Sequence, residues 1–120
     1  MDRTLTVAGL SYALTAVARD GQWVAFAERA DSGGRFGIEC GGPTAPAALD
    51  RLAGWLEWQS EHAAALDSLQ HAERAYHRTI AESAFGVAAE GAPVEFQHEA
   101  LAEVEAARVR LDEVRARRPK

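Results

Sequence analysis

The sequence predicts an α+β protein: a three-stranded antiparallel β-meander, then a long α-helix, then a second helix that pairs with the first as an antiparallel helical hairpin. Two observations support this prediction. The first third of the chain alternates apolar and polar residues, which is typical of half-buried strands, and the remainder is rich in alanine, glutamate, leucine and arginine, which favour helices. With 120 residues we expect a single domain, in which a βββα module at 10–58 continues into a projecting helical hairpin at 59–118.

A tight turn predicts the first two strands. The pair Asp20-Gly21 tolerates the positive φ angles of a two-residue hairpin loop, and an alternating run lies on each side of it. We therefore expect antiparallel strands at Ser11–Arg19 and Gln22–Arg29. This loop length sets the register, in which the directly opposed pairs are Val17 with Val24 and Thr15 with Phe26.

The third predicted strand is RFGIEC, residues 35–40, which follows the glycine-rich turn ADSGG. Its alternate residues share one face, which we expect to align with Val24 and Phe26 and to lie beneath Leu52 and Trp55 of the long helix. Those alternate residues are Phe36, Ile38 and Cys40.

The opposite face of the first two strands is also apolar, although many of its residues are small. An antiparallel sheet with a solvated face would carry polar residues there, so we expect a second cover, most simply another copy of the chain in a symmetric homodimer. An unidentified protein partner is the alternative cover. The interface candidates on this face are Tyr12, Leu14 and Trp23.

Thr44 predicts the start of the long helix, because its hydroxyl can accept a hydrogen bond from a first-turn amide and Pro46 is tolerated in that turn. Apart from Gly54, no helix breaker occurs before the segment FGVAAEGAP. The helix should therefore run for about 37 residues, or roughly 55 Å, which exceeds the length of a strand. Its second half is expected to project beyond the sheet.

Apolar residues at helical spacing mark this second half, and another such stripe in the predicted helix Val94–Arg118 supplies its partner, as in a short coiled coil. Gly86 and Gly91-Ala92-Pro93 are expected in the turn between the helices. The interface candidates in the first stripe are His62, Leu66, Leu69, Tyr76 and Ile80, and the second stripe contains Val94, Leu101, Val104, Leu111 and Val114.

The histidines do not match a metal-binding motif. His71 and His77 are six residues apart, so their side chains diverge by about 240° around a helix. His62 lies on the apolar stripe, where it either fixes the register of paired helices or is partly exposed where the helix leaves the sheet. We expect no metal site.

The sequence also contains no catalytic motif. No serine lies in a nucleophile-elbow context, and Cys40, at the end of a predicted strand, is expected to be a buried structural thiol. The segment DSGGRFG has glycines but neither a lysine nor a helix start after it, so it predicts a turn rather than a phosphate-binding loop. We expect a non-enzymatic protein without a cofactor.

The net charge of −5 argues against general nucleic-acid affinity, although the end of the sequence is locally basic. Cations at a helix C-terminus are also favoured by the helix macrodipole, which accounts for them without a ligand. The nucleic-acid candidates are Arg108, Arg110, Arg115, Arg117 and Arg118.

Three features bear on cellular location. The chain has a single cysteine, no run that approaches about 20 apolar residues, and a start unlike a secretory signal. We therefore expect a cytoplasmic protein that does not span a membrane.

One family resemblance covers residues 10–58. The order Tyr12, Asp20-Gly21 and Trp23-Val24-Ala25, followed by a third strand and GPTAPAAL, resembles the N-terminal βββα module of HicB-like antitoxin proteins. In that family a G-x-T-x-x-x-A-L segment opens the helix. The corresponding residues here are Gly42, Thr44, Ala48 and Leu49.

The residues themselves favour a protein-binding or oligomerisation module. The family resemblance implies the alternative, a HicB-like antitoxin or nucleic-acid-associated regulator. The chain shows no evident C-terminal ribbon-helix-helix or helix-turn-helix segment, which is the part of that family that would bind DNA.

Overall fold

The computed structural model describes residues 1–85 and 94–119, with side chains described for 1–81 and 96–119. It shows an α+β fold, an antiparallel sheet of four strands followed by two helices. The chain divides into two compact units, Met1–Ser60 with Arg118–Lys120, and Glu61–Arg117. The strands are β1 (Asp2–Val7), β2 (Leu10–Arg19), β3 (Gln22–Arg29) and β4 (Cys40–Gly42), and the helices are α1 (Ala45–Phe85) and α2 (Val94–Ala116).

The α+β class is confirmed, but the prediction of three strands is wrong because β1 was not foreseen. The sheet has the order β1-β2-β3-β4, and each neighbouring pair is antiparallel. Ala8-Gly9 turns β1 into β2 with φ angles of 52° and 79°, the same values that Asp20-Gly21 adopts between β2 and β3. Such turns usually have Asn or Asp first, and alanine there gives no turn signal in the sequence.

The register predicted for β2 and β3 is confirmed, since Val17 lies opposite Val24 and Thr15 lies opposite Phe26. The third predicted strand is displaced. Over residues 35–39 only an isolated bridge between Glu28 and Arg35 occurs, and the ladder with β3 forms at Cys40–Gly42.

The predicted orientation of the sheet is wrong. Cys40 pairs with Ala25 rather than lying on the side of Val24, so Phe36, Ile38 and Cys40 contribute to the opposite face from the one expected. The face of β2 and β3 that α1 covers is the one rich in small residues. The fully or almost fully buried core of this unit consists of Leu14, Ala16, Ala25, Ala27 and Cys40 from the strands and Ala45, Ala48, Leu49, Leu52 and Leu56 from α1.

Small side chains explain this choice of face. Alanines on the sheet and at Ala48 let the helix backbone come close, which leaves Leu14 and Leu52 with no exposed surface. The approach is close at Gly42, where an added Cβ would lie 2.8 Å from the Ala48 backbone nitrogen. Tyr12, Leu14 and Trp23 were expected to meet a second subunit. Instead, Leu14 lies inside the core, and Tyr12 and Trp23 are half-buried against it.

The predicted cap of α1 is observed. The Ala47 amide donates to the Thr44 hydroxyl at 3.2 Å, and the Ala48 amide donates to the Thr44 carbonyl at 3.1 Å. The helix has 41 residues, against about 37 expected, and ends at Phe85 in the predicted breaker segment. α2 begins at Val94 as predicted and ends at Ala116. Over the residues described, neither helix is long and apolar enough to cross a membrane.

The predicted turn between the helices, with Gly86 and Gly91-Ala92-Pro93, lies outside the described residues, as does the side chain of Val94. In the unit Glu61–Arg117, two ion pairs link α1 with α2: Glu61 with Arg117 at 3.3 Å and Glu73 with Arg108 at 4.0 Å. The earlier residue of α1 pairs with the later residue of α2, so the two helices run antiparallel in this unit.

Candidate interaction surfaces

The outer face of the sheet, on the side away from the core, carries a row of β-branched and aromatic residues. Val17 and Val24 are directly opposed, Thr15 and Phe26 form the next pair, and all four are half-buried. The guanidinium of Arg35 lies 4.5 Å from the centre of the Phe26 ring, and Arg35 also pairs with Glu39 at 2.8 Å. The remaining residues of this face on β1 and β2 are small or polar and exposed: Asp2, Thr4, Thr6, Ser11, Ala13 and Arg19.

The β1 strand is the terminal strand of the sheet, and its backbone alternates between bonding to β2 and pointing away from it. The Met1 carbonyl accepts from the Ala16 amide at 2.8 Å, and the Met1 amino group donates to the Ala16 carbonyl at 3.1 Å. In an antiparallel ladder only every second pair exchanges such bonds. Arg3, Leu5 and Val7 therefore bond to β2, and the backbone groups of Asp2, Thr4 and Thr6 point to the open edge.

Side chains anchor β1 on the covered side. Arg3 donates to the carboxylate of Asp50 in α1 at 2.6 Å, and Leu5 and Val7 pack against the core cluster while remaining half-exposed. This arrangement holds β1 in place without blocking its outer edge.

The helical pair has a different interface from the predicted stripe. Its buried residues are seven apart in α1 and seven and three apart in α2, as expected for helices that meet along a heptad seam. The predicted residues Leu66, Leu69 and Tyr76 are half-buried beside this seam, whereas Ile80 is 40% exposed. The buried residues are Ala65 and Ala72 in α1, and Val104, Leu111 and Val114 in α2.

Alanine accounts for the shift, because a seam of Ala65 and Ala72 lets the two backbones approach more closely than a leucine seam would. Val104, Leu111 and Val114 were predicted for the second stripe and are buried there. Leu101 is half-buried.

Three of the five terminal arginines have partners within the chain. Arg108 and Arg117 form the ion pairs with α1, and Arg118 lies 5.4 Å from the ring centre of Trp55 and 5.9 Å from that of Trp58. The two tryptophan rings are themselves in edge contact at 5.8 Å. Arg110 and Arg115 are exposed. The structure thus gives three of these five arginines partners within the chain.

Among the side chains that the structure describes, no group of three or more His, Cys, Asp or Glu residues could hold a metal ion. His71 and His77 are exposed, and His62 is half-buried in line with the helical seam.

Cys40 is a free, buried thiol in the core. Burial raises the pKa of the Cys40 thiol, and the nearby positive charge of Arg51 opposes this only in part. A thiol in this state is a poor nucleophile at neutral pH. The geometry therefore favours a structural role for Cys40.

A shallow depression lies where the β2–β3 turn meets the β4–α1 connection. Arg51 crosses it and donates to the Gly41 carbonyl at 2.7 Å. The amide of Ala47 in the adjoining first turn of α1 is occupied by Thr44. Both of these donors therefore already have acceptors within the chain. Its lining consists of Gly21, Gln22, Gly41, Gly42, Pro43 and Arg51.

Among the residues that the structure describes, the outer face of the sheet and the edge of β1 are therefore open surfaces. The edge was missed in the sequence because β1 itself was missed. Comparison of the chain with protein-family models, with curated proteins and with solved structures gives no match.

Proposed function

We propose that the protein is a non-enzymatic protein-interaction module that self-associates, most simply as a homodimer, through the parts of its sheet that α1 leaves uncovered. One observation carries the proposal: the outer face with Val17, Val24 and Phe26 adjoins the open edge of β1. A half-exposed apolar row gains free energy when another protein covers it.

A partner at this surface must also provide hydrogen bonds for the backbone of the β1 edge. Unpaired N–H and C=O groups along a strand are matched best by the backbone of another strand. Small-molecule sites are usually concave pockets, whereas a sheet face and a strand edge are open surfaces suited to a protein partner.

Size-exclusion chromatography with light scattering tests the proposal over a dilution series. We expect a mass of twice 12.9 kDa at high concentration that falls toward 12.9 kDa on dilution. A mass of 12.9 kDa from the micromolar range to near-millimolar concentration would contradict self-association.

The HicB-like antitoxin or nucleic-acid-associated regulator remains the alternative function. Electrophoretic retention of DNA or RNA that falls steeply with added salt, and that is lost in a variant with Arg110 and Arg115 both changed to alanine, would favour it. These two arginines are chosen because they are exposed and the two ion pairs between α1 and α2 are made by Arg108 and Arg117, so the double substitution leaves those pairs intact.

A further inference from the structure

The backbone groups along the open edge of β1 determine which strand can pair with it and in which register. Its outward backbone groups belong to Asp2, Thr4 and Thr6, three residues centred on Thr4. We propose that two copies of the chain pair antiparallel through β1, with Thr4 of one copy opposite Thr4 of the other. This inference rests on the proposed self-association and names the surface that carries it.

Hydrogen-bond geometry selects this register. In an antiparallel pair related by a two-fold axis, outward-pointing residues must face outward-pointing residues of the second copy. Centring on Thr4 also places Asp2 opposite Thr6, so all three outward residues exchange bonds, about six in total. Within the residues of β1, Asp2–Val7, sliding the second copy by one ladder step in either direction leaves only two such pairs, because one outward residue of each copy then faces a position outside the strand.

Charge supports the same register. Asp2 meets Thr6, Arg3 meets Leu5, and Thr4 meets Thr4, so no like charges are directly opposed. The ladder step toward the start of β1 would instead place Arg3 against Arg3. The Arg3 guanidinium is also paired with Asp50 at 2.6 Å, which offsets the positive charge of Arg3 where the two edges approach.

The composition of the strand points to β1 rather than to the other edge. Exposed edge strands are commonly protected by proline, charged side chains, a bulge or short length. β1 has six residues, DRTLTV, without proline, and of its two charged residues Arg3 is paired with Asp50, whereas β4 has three residues, two of them glycine, and is followed by Pro43.

Pairing in this register would join the two sheets into one of eight strands. Arg3, Leu5 and Val7 lie on the covered side in both copies, so both cores would fall on one side of the joined sheet. The outer faces would form one continuous surface on the other side, and Leu5, half-exposed in a single chain, would gain cover from Arg3 of the second copy.

Cysteine cross-linking tests the register directly. Residues in a hydrogen-bonded antiparallel pair have Cα atoms about 5.5 Å apart, within the range that a disulfide spans. We expect Thr4→Cys to form a covalent dimer on mild oxidation. Asp2→Cys and Thr6→Cys should each remain uncross-linked alone, since like positions would lie about 13 Å apart, and should cross-link when the two variants are mixed.

The wild-type chain is the matched control, because its only cysteine, Cys40, is buried. No covalent dimer from Thr4→Cys, at a concentration where the wild-type chain is dimeric, would overturn β1 pairing and leave self-association standing. A wild-type chain that is monomeric throughout would overturn both. Cross-linking of Asp2→Cys or Thr6→Cys alone, in place of Thr4→Cys, would overturn the register.

A proline substitution provides the independent measurement. The Thr4 amide points away from β2, so Thr4→Pro removes a donor from the open edge without removing a bond from the β1–β2 ladder. Because of the two-fold symmetry the change removes two bonds, and we expect at least a tenfold weaker dimer with the fold retained by circular dichroism. Thr4→Val keeps the amide and a β-branched side chain and should dimerise as the wild type does. Equal dimer affinity for Thr4→Pro and Thr4→Val would contradict the proposal; should Thr4→Pro fail to fold, the cross-linking result decides.

Discussion

Gly42, the last residue of β4, lies close to the backbone of α1 and gives a sharp test of the packing. A Cβ on Gly42 would lie 2.8 Å from the Ala48 nitrogen and 3.2 Å from both the Ala47 carbonyl carbon and the Ala48 Cα. These atoms belong to helix backbone, which cannot rotate aside as a flexible side chain can. Gly42→Ala must therefore displace the start of α1, and we expect it to lower the free energy of unfolding by about 1–3 kcal/mol, as overpacking usually does.

The neighbouring glycine is a matched control. A Cβ on Gly41 would meet the Trp23 carbonyl oxygen at 3.7 Å, an ordinary contact. Gly41→Ala should be neutral or stabilise by up to about 1 kcal/mol, because alanine restricts the unfolded chain. Urea unfolding followed by tryptophan fluorescence measures both variants, with the dependence on urea concentration unchanged. Unfolding free energies for the two variants that agree within about 0.5 kcal/mol would refute the assigned approach of α1 to β4.

Three further predictions concern the core, metals and pH. Leu52→Ala should lower the unfolding free energy by about 2–5 kcal/mol because Leu52 is fully buried, whereas Leu10→Ala at an exposed site should change it by no more than about 0.5 kcal/mol; equal losses would contradict the core assignment. Dialysis against a chelator should leave the melting temperature unchanged, and a large drop restored by zinc would show a metal site. Burial raises the pKa of the Cys40 thiol above its ordinary value of 9.0. The protonated thiol therefore makes its full contribution to the free energy of unfolding below pH 9.0, and this contribution is lost as the pH rises through the higher pKa of the folded state. That part of the alkaline decline should disappear in Cys40→Ala, and an identical decline in both chains would contradict it.

Local chemistry made much of the fold predictable. Asp20-Gly21 determines both a turn and a register, and the observed φ angles of 52° and 79° are the reason that this residue pair is suited to it. Thr44 likewise predicts the start of α1 because its hydroxyl bonds to the Ala47 amide. In both cases the residues that predict the structure lie within a few positions of the turn or helix start that they determine.

The strand β1 was missed because its turn gives no such signal. Ala8 adopts a φ of 52° without the local side-chain hydrogen bonding of Asn or Asp, so nothing in Ala8-Gly9 marks a hairpin. The open edge, and with it the candidate interface, could not be predicted without that strand.

The face of the sheet that α1 covers was predicted wrongly, because both faces of β2 and β3 are apolar and the alternating pattern alone does not distinguish them. Val24 and Phe26 are larger than Ala25 and Ala27, yet the alanines are fully buried and the larger pair is half-exposed. Close approach of a helix favours small residues, and periodicity alone does not show how near two backbones will lie. For the same reason the buried seam of α1 contains Ala65, whereas Leu66 was the residue predicted.

Residue-resolved amide exchange along β1, measured by NMR at low and high protein concentration, tests the central claim most directly. The amides of Arg3, Leu5 and Val7 should be protected at both concentrations because they bond to β2. The amides of Thr4 and Thr6 should exchange rapidly in dilute solution and become protected as the dimer forms. Rapid exchange of Thr4 and Thr6 at a concentration where the protein is dimeric would contradict pairing through this edge.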